Sequence, residues 1–326
     1  ILDYSFCIKK SPFKAKLKNF VNQNINAILS IKRKKNFRLF LEKHLKCTKE
    51  RFHNAAELYK SAPHADIYIT GSDQVWNDEI LGQYDEGYLL SFVKSDSLKV
   101  SYAASIGKDI ISHEYANKLR PFLESFDYIS VREETAKKAL ENVGLNNITQ
   151  VLDPVFLLDT KMYEEILTEP AIDDYVLIYC FNSNKECYDL ANLLARNNKL
   201  KTISLNGWTN KFNTDYLVNT ASPSEFLGYL KNARYVVTNS FHGTAFSILF
   251  EKEFYVIPPK SNSSRMESLL NAAGLQDRII TSNTTIEDMA SIDYSLAKQQ
   301  LSNDIELSKD FLNNLLDGSN RKKRVN

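Results

Sequence analysis

Short apolar, β-branched segments alternate along the chain with longer amphipathic stretches. The short segments have the length and composition of buried strands, and apolar residues recur at helical spacing between most of them. This alternation is typical of βαβ units and a parallel sheet, so the fold class is predicted to be α/β. The predicted strands are residues 65–70, 98–105, 128–131, 148–152, 175–181, 201–205, 234–238 and 254–257.

One segment, residues 169–174, interrupts this alternation, because a proline and acidic residues precede a fresh apolar strand. We predict a hinge there between two α/β domains, residues 1–168 and residues 169–300. Residues 301–326 are assigned to a closing helix and a basic tail. The helical pattern itself runs over residues 296–316 and predicts six inward side chains, Leu301, Ile305, Leu307, Phe311, Leu312 and Leu315.

The start of another helix can be predicted atom by atom. Ser222 is a good N-cap, Pro223 suits the first helical position, and Glu225 stands three residues after the cap. This spacing predicts a capping box, in which side chains and backbone N–H groups satisfy each other.

Charge is unevenly distributed, although the net charge of the 326 residues is only +1. Residues 1–60 carry 15 Lys or Arg against 4 Asp or Glu. The basic run at residues 32–35, with Phe37 and Phe40, is suited to anionic lipid head groups, or is simply a solvated helix face. No nucleic-acid-binding module accompanies it, so we expect no nucleic-acid partner.

The location expected from the sequence is the cytoplasm, and contact of the basic run with lipid would place the protein at the inner face of the membrane. No apolar run approaches the ~20 residues of a membrane-spanning helix, and the first residues do not resemble a signal peptide. The cysteines form no CxxC pair and, with the histidines, no zinc set, so buried free thiols are expected at Cys7, Cys47, Cys180 and Cys187.

Three polar clusters each follow a predicted strand directly: residues 71–74, 132–135 and 239–243. Ligands of open parallel sheets bind at the carboxyl ends of the strands, so these clusters are expected to face one cleft. Helix N-termini at that edge favour an anion such as phosphate or carboxylate. His242 stands out, because an imidazole exchanges a proton near neutral pH.

Each of these residues also has a plain structural interpretation. The segment around Asp73 suits a turn, Arg132 suits an exposed ion pair, and His242 suits a purely structural role. Trp76 suits either a wall for a sugar ring or the protein core. No GxxxxGK[ST], GxGxxG, HExxH or GxSxG motif is present, so the function must come from a combination of clusters.

In combination, five ordered segments resemble those of polysaccharide pyruvyl transferases. They are residues 65–77 (ADIYITGSDQVWN), 101–107 (SYAASIG), 129–133 (ISVRE), 152–154 (LDP) and 238–247 (TNSFHGTAFS), and residues 265–275 extend the match. The resemblance implies a GT-B-like fold, with two Rossmann-like domains facing a cleft and phosphoenolpyruvate as donor. Members usually begin with a further strand and a small-residue loop, so the first strand is expected to be missing here.

The resemblance also implies roles for individual residues. It places His242 as acid or base with Asp73 or Asp153 as partner, and it assigns the donor to Arg132, Arg265, Ser72, Ser240 and Gly243. Gln74 and Trp76 are the candidates for acceptor binding. No metal and no cofactor are called for, with phosphoenolpyruvate as co-substrate and a saccharide or lipid-linked oligosaccharide as acceptor. Some members carry arginine where this chain has Ser240, so the donor's charge must be met by Arg132 or Arg265.

Two other functions fit the same cleft. A GT-B glycosyltransferase would use a sugar nucleotide as donor, since fold alone does not determine function. A non-catalytic glycan-binding protein would bind the saccharide and consume no donor.

Overall fold

A computed structural model describes residues 1–4, 20–182, 184–205, 212–259, 262–281 and 289–325 of the chain. Side chains are described at residues 1–4 and, within these ranges, from residue 29 to residue 315. Within these ranges, no helix combines the length and the apolar character needed to cross a membrane.

Two parallel sheets organise the fold. The first has the order β3-β4-β5-β6. Its strands are β3 (Ile67–Asp73), β4 (Leu98–Ala104), β5 (Tyr128–Val131) and β6 (Ile148–Gln150). The second has the order β9-β8-β7-β10-β11. Its strands are β7 (Tyr175–Tyr179), β8 (Lys201–Leu205), β9 (Tyr216–Val218), β10 (Tyr235–Thr238) and β11 (Glu253–Val256).

The order of the second sheet is that of a doubly wound fold, in which the chain reverses direction across the sheet between β7 and β10. A separate pair joins β1 (Asp3–Tyr4) to β2 (Arg51–Phe52). The chain is therefore an α/β protein with two Rossmann-like parallel sheets, which confirms the predicted GT-B-like fold class.

Helices connect most of the strands. They are α1 (Phe20–His44), α2 (Ala55–Ser61), α3 (Asp78–Leu81), α4 (His113–Leu123), α5 (Glu134–Glu141), α6 (Thr160–Glu164), α7 (Lys185–Asn198), α8 (Pro223–Asn232), α9 (Phe241–Leu249), α10 (Ser264–Ala273) and α11 (Tyr294–Val325). Two short 3₁₀ helices lie at Pro154–Leu157 and Gln276–Arg278. The capping box at Ser222 is present, with both reciprocal hydrogen bonds, as predicted.

Every predicted strand overlaps an observed one. Two coincide at both ends, those of β5 and β8, and the others differ by one to three residues at an end. The strands β1, β2 and β9 were not predicted, because two or three residues are too few for an alternating pattern to show.

The last helix, α11, packs against both sheets. Leu301 lies in the core of the second sheet, whereas Phe311 and Leu315 pack against residues of β4 in the first. The predicted inward position of Leu307 is wrong, because its side chain is exposed. Ser308 is buried instead and accepts a hydrogen bond from the backbone N–H of Leu152, since its position on the helix is in phase with the buried leucines.

Residues 167–174, which include the predicted hinge, form neither helix nor strand, and the strands on either side of them belong to different sheets. The domain boundaries themselves stay a prediction. The two halves also touch directly, since the Asp109 carboxylate accepts hydrogen bonds from the backbone N–H groups of Asn262 and Ser264 at 2.7 and 2.8 Å.

The cysteines are only partly as expected. Cys180 and Cys187 are buried free thiols, but Cys47 is exposed, because it follows α1 on the surface. Cys7 lies outside the described residues.

Candidate functional site

Arg132 lies at the centre of a polar cluster between the two sheets. It follows β5 directly, and its guanidinium is almost wholly buried. One nitrogen, Nη1, donates to Asp153 Oδ2 at 2.6 Å, and Nη2 donates to Asp73 Oδ1 at 3.3 Å. Arg132 is therefore a buried hub, and the alternative of an exposed ion pair is wrong.

Two further contacts hold the same guanidinium. Its Nε lies 3.5 Å from Glu133 Oε1, and its carbon Cζ lies 4.0 Å from the centre of the Phe241 ring. A charge-assisted fork and an aromatic face together fix the plane of an arginine side chain.

Asp153 and Ser72 approach Arg132 from the carboxyl ends of the two outer strands of the first sheet, β6 and β3. Asp153 follows β6, where its Oδ1 accepts the backbone N–H of Val155 and so caps the first 3₁₀ helix. Its other oxygen, Oδ2, also accepts a hydrogen bond from Ser72 Oγ at 2.9 Å. Asp153 is thus oriented by both of its oxygens.

The end of β3 requires a glycine. Gly71 has a φ of +111°, and a Cβ there would stand 2.2 Å from the backbone oxygen of Tyr102 on β4. Only glycine allows this approach, which carries Ser72 and Asp73 into the cluster. The turn interpretation of residues 71–73 is wrong, because they form the last part of β3 and the chain turns only after them.

The second sheet contributes His242 from the first turn of α9. Its side chain is 38% exposed, and its Nε2 lies 3.9 Å from Asp153 Oδ2. Ser240 is the N-cap of this helix and accepts the backbone N–H of Gly243 at 3.3 Å. A Cβ at Gly243 would stand 2.3 Å from Thr238 Oγ1, so glycine is needed where the helix closes on β10.

Arg265, on the first turn of α10, reaches the cluster from the same side as His242. Its Nη1 lies 4.0 Å from Asp73 Oδ1, and its buried Nε has no hydrogen-bond partner among the described residues. Burial lowers the pKa of Arg265, and the nearby charge of Arg132 lowers it further. An arginine with a donor left over is suited to a ligand that is an anion.

The net pKa shifts of two carboxyl groups in the cluster have opposite directions. Burial raises the pKa of Asp73, but the charges of Arg132, His242 and Arg265 outweigh it and leave the pKa lowered. Burial also raises the pKa of Glu133, and there Arg132 does not reverse the effect. Glu133 shares a hydrogen bond with the hydroxyl of Ser105, and its Oε2 is unpartnered among the described residues.

Two cavities border this cluster and share Asp153. The arginine cavity, of about 150 Å³, is lined by Arg132, Arg265 and Asp304 of α11. The histidine cavity, of about 500 Å³, is lined by Ser72, Asp73, Asp153, Tyr163, His242 and Phe246. Within the described ranges, no group of three or more His, Cys, Asp or Glu side chains is placed to hold a metal ion.

Six of the ten predicted site residues thus lie together: Ser72, Asp73, Arg132, Asp153, His242 and Arg265. The other four lie apart from them. Ser240 and Gly243 build the start of α9, and the Gln74 side chain accepts a hydrogen bond from Asn77 beside Gly107. Trp76 is only 1% exposed and packs in the core of the first sheet, so it cannot form a wall for a sugar.

Several side chains around the cluster were not singled out as site residues from the sequence. Glu133 and Phe241 stand next to residues that were, so their positions carried a local signal. Phe246 lies within the segment 238–247, four residues after His242, so its position carried such a signal too. Tyr163 and Asp304 carried none, because they come from elements far apart in the chain.

The comparison with protein-family models identifies one family. The family model described as "Polysaccharide pyruvyl transferase" matches residues 3–261 of the chain. No curated protein sequence matches it.

Solved structures with a similar arrangement include a UDP-GlcNAc 2-epimerase from Methanocaldococcus jannaschii, with 14% identity, a TM-score of 0.43 and coverage of 77% of this chain and 71% of that one. The UDP-N-acetylglucosamine 2-epimerase from Rickettsia bellii has 14% identity, a TM-score of 0.46 and coverage of 82% and 77%. The wall teichoic acid polymerase TagF has 11% identity, a TM-score of 0.40 and coverage of 89% and 82%. Because these TM-scores lie below 0.5, the likenesses support no conclusion about function.

Proposed function

Because the chain belongs to the polysaccharide pyruvyl transferase family, we propose that it transfers the pyruvyl group of phosphoenolpyruvate to hydroxyl groups of a saccharide. The product is a pyruvate ketal on a surface polysaccharide or its lipid-linked precursor. A cytoplasmic site of action, at the inner face of the membrane, belongs to the same proposal.

The donor needs cationic partners, because phosphoenolpyruvate carries a carboxylate and a phosphate. Arg265 and Arg132 line the arginine cavity together, and Arg265 has a buried Nε–H without a partner among the described residues. Arginine forks bind both groups in a bidentate manner. We assign the donor's anionic end to this cavity, with Arg265 as the direct contact and Arg132 as the residue that orients Asp73 and Asp153.

The charges of the cluster support this assignment. The cations Arg132 and Arg265 lie beside the Asp73 and Asp153 carboxylates, and burial raises the pKa of Glu133, which disfavours a further negative charge there. His242 lies 3.9 Å from Asp153, and the proton that it carries as the proposed acid adds positive charge for an anionic donor.

The same proton serves the chemistry. We assign His242 as the acid that protonates the methylene carbon of phosphoenolpyruvate, so that the neighbouring carbon becomes an electrophile. A sugar hydroxyl adds to that carbon and loses its proton, the bond to phosphate breaks, and a second hydroxyl closes the ketal with loss of its own proton. Of the two protons released, one restores His242 and the other leaves with phosphate or solvent.

The main support for the proposal is that six polar side chains from the two halves of the chain lie together. Among the described residues, the Arg265 Nε–H beside them has no hydrogen-bond partner. The test is release of inorganic phosphate from phosphoenolpyruvate in the presence of a mixture of cell-surface polysaccharide precursors. Release that depends on both components, and falls in Arg265→Gln, supports the proposal. Release of nucleotide from sugar nucleotides instead would identify a glycosyltransferase, and saccharide binding without consumption of either donor would identify a glycan-binding protein.

A further inference from the structure

A third pocket, lined by aromatic rings, also includes His242 in its wall. We call it the aromatic pocket. It has a volume of about 360 Å³, and its walls include Phe37 of α1, Tyr179 of β7, Phe226 of α8 and Phe246 of α9. The last three rings form one array, with centroids 4.9 Å apart for Tyr179 and Phe226 and 5.8 Å apart for Phe226 and Phe246.

The rings of this array are only partly buried, although they pack against the core of the second sheet. Tyr179, Phe226 and Phe246 are half-buried, and Phe37 is exposed. Aromatic surface that lies open in a concave site beside candidate catalytic groups is typical of a ligand-binding pocket.

The aromatic pocket and the histidine cavity meet at two residues. His242 and Phe246 line both of them, and these residues are four apart on one face of α9. A ligand in the aromatic pocket therefore contacts His242, whose Nε2 lies 3.9 Å from Asp153 Oδ2.

From this arrangement we infer that the aromatic pocket binds the pyranose ring that receives the pyruvyl group. This inference rests on the proposed function, and it replaces Trp76 and Gln74 as the acceptor site. A pyranose has a face of C–H groups that packs on aromatic rings, and hydroxyls at its edge that need polar partners. The pocket offers both, because His242 and Ser222 line the same space as the rings.

The location follows the topology as well. The pocket lies at the carboxyl ends of β7 and β8, since Tyr179 and Leu205 are the last residues of those strands. This is beside the point where the second sheet reverses its order, the usual binding crevice of a doubly wound fold.

The test is saturation-transfer NMR with a panel of methyl glycosides of galactose, mannose, glucose and N-acetylglucosamine, each in both anomers. At least one glycoside is expected to receive saturation at its ring C–H protons. Phe226→Leu should weaken that binding about 2- to 10-fold, the range expected for loss of one aromatic contact, and Phe226→Tyr should retain it.

Two further variants make the comparison decisive. Phe37→Leu changes an exposed ring of the same pocket and should also weaken binding. It provides the test if Phe226→Leu fails to fold. Tyr216→Leu removes an exposed ring from the start of the edge strand β9, which does not line the pocket, and should leave binding unchanged.

Binding of phosphoenolpyruvate is measured on the same variants by calorimetry, so that the two proposals can fail separately. Loss of glycoside binding with unchanged donor binding in Phe226→Leu supports the acceptor assignment. If wild-type protein binds no phosphoenolpyruvate but binds a glycoside in this pocket, only the proposed function fails. The acceptor assignment is overturned if no glycoside binds, if Phe226→Leu and Phe37→Leu bind like wild type, or if UDP occupies the pocket and is lost in those variants.

Discussion

Replacing Arg132 by methionine is expected to destabilise the fold strongly. Asp153, Asp73 and Glu133 lie 2.6, 3.3 and 3.5 Å from its nitrogens, and the side chains of Arg132 and Asp153 are only 3% and 2% exposed. Methionine has a similar length and is apolar, so the packing on Phe241 is largely kept while the charge is lost. The Asp153 carboxylate would then be buried without its cation.

The expected loss in the free energy of unfolding at pH 7 is about 3–5 kcal/mol, the range measured when one partner of a buried ion pair is removed. Urea denaturation followed by far-UV circular dichroism measures it, together with the fluorescence of buried Trp76 in the first sheet's core. Adding Asp153→Asn to Arg132→Met should restore part of the loss, because the unpaired charge is then removed.

The matched control is Arg38→Met. Arg38 also pairs with a carboxylate, Glu42 at 2.6 Å, but on the surface of α1 with its side chain 80% exposed. Solvent screens such a pair, so the urea midpoint should not change measurably. A midpoint for Arg132→Met equal to that of Arg38→Met would refute the view of Arg132 as a buried hub.

Four other expectations follow from the site and from the basic first helix. His242→Ala should lower turnover by at least ~10²-fold with unchanged folding by circular dichroism; near-normal turnover would move the acid role to Asp73 or Asp153. Arg265→Lys should raise the KM for phosphoenolpyruvate more than it lowers kcat, because an ammonium cannot reproduce the guanidinium fork; a change in kcat alone would argue against direct donor contact. The pKa of Asp73 is lowered in the folded state, so its contribution to stability is present above its unfolded value of about 3.9 and is lost as the pH falls through the lowered folded value. Urea midpoints measured from pH 6 to pH 2 should therefore fall less steeply for Asp73→Asn than for wild type, and identical slopes would contradict this. Finally, the run at residues 32–35 should bind phosphatidylserine vesicles in co-sedimentation, more weakly as salt is raised, because screening shortens to ~8 Å at physiological ionic strength; equal recovery with neutral vesicles would count against membrane contact.

The sequence by itself determined the local features of this protein. Strand and helix patterns depend on residues two to four positions apart, and a parallel α/β fold follows from their alternation. The capping box at Ser222 is local in the same sense, because it is set by residues three positions apart in the chain. The polar clusters were also visible, since each lies where a strand ends.

The tertiary structure decided which of those side chains meet. Arg132 is buried and Trp76 is core, while Leu307 is exposed, because burial depends on what packs from the rest of the molecule. Which face of a long helix such as α11 is buried depends on its contacts with both sheets. The hydrophobic pattern alone therefore predicted one position, Leu307, wrongly.

The pockets were the least predictable feature. The aromatic pocket combines Phe37, Tyr179, Phe226 and Phe246, which stand on four elements spread over about two-thirds of the chain. No periodicity links residues at such separations, because their distances are set by how the two sheets and α1 pack together. An exposed aromatic ring and a core one look the same in sequence, and only the assembled fold distinguishes them.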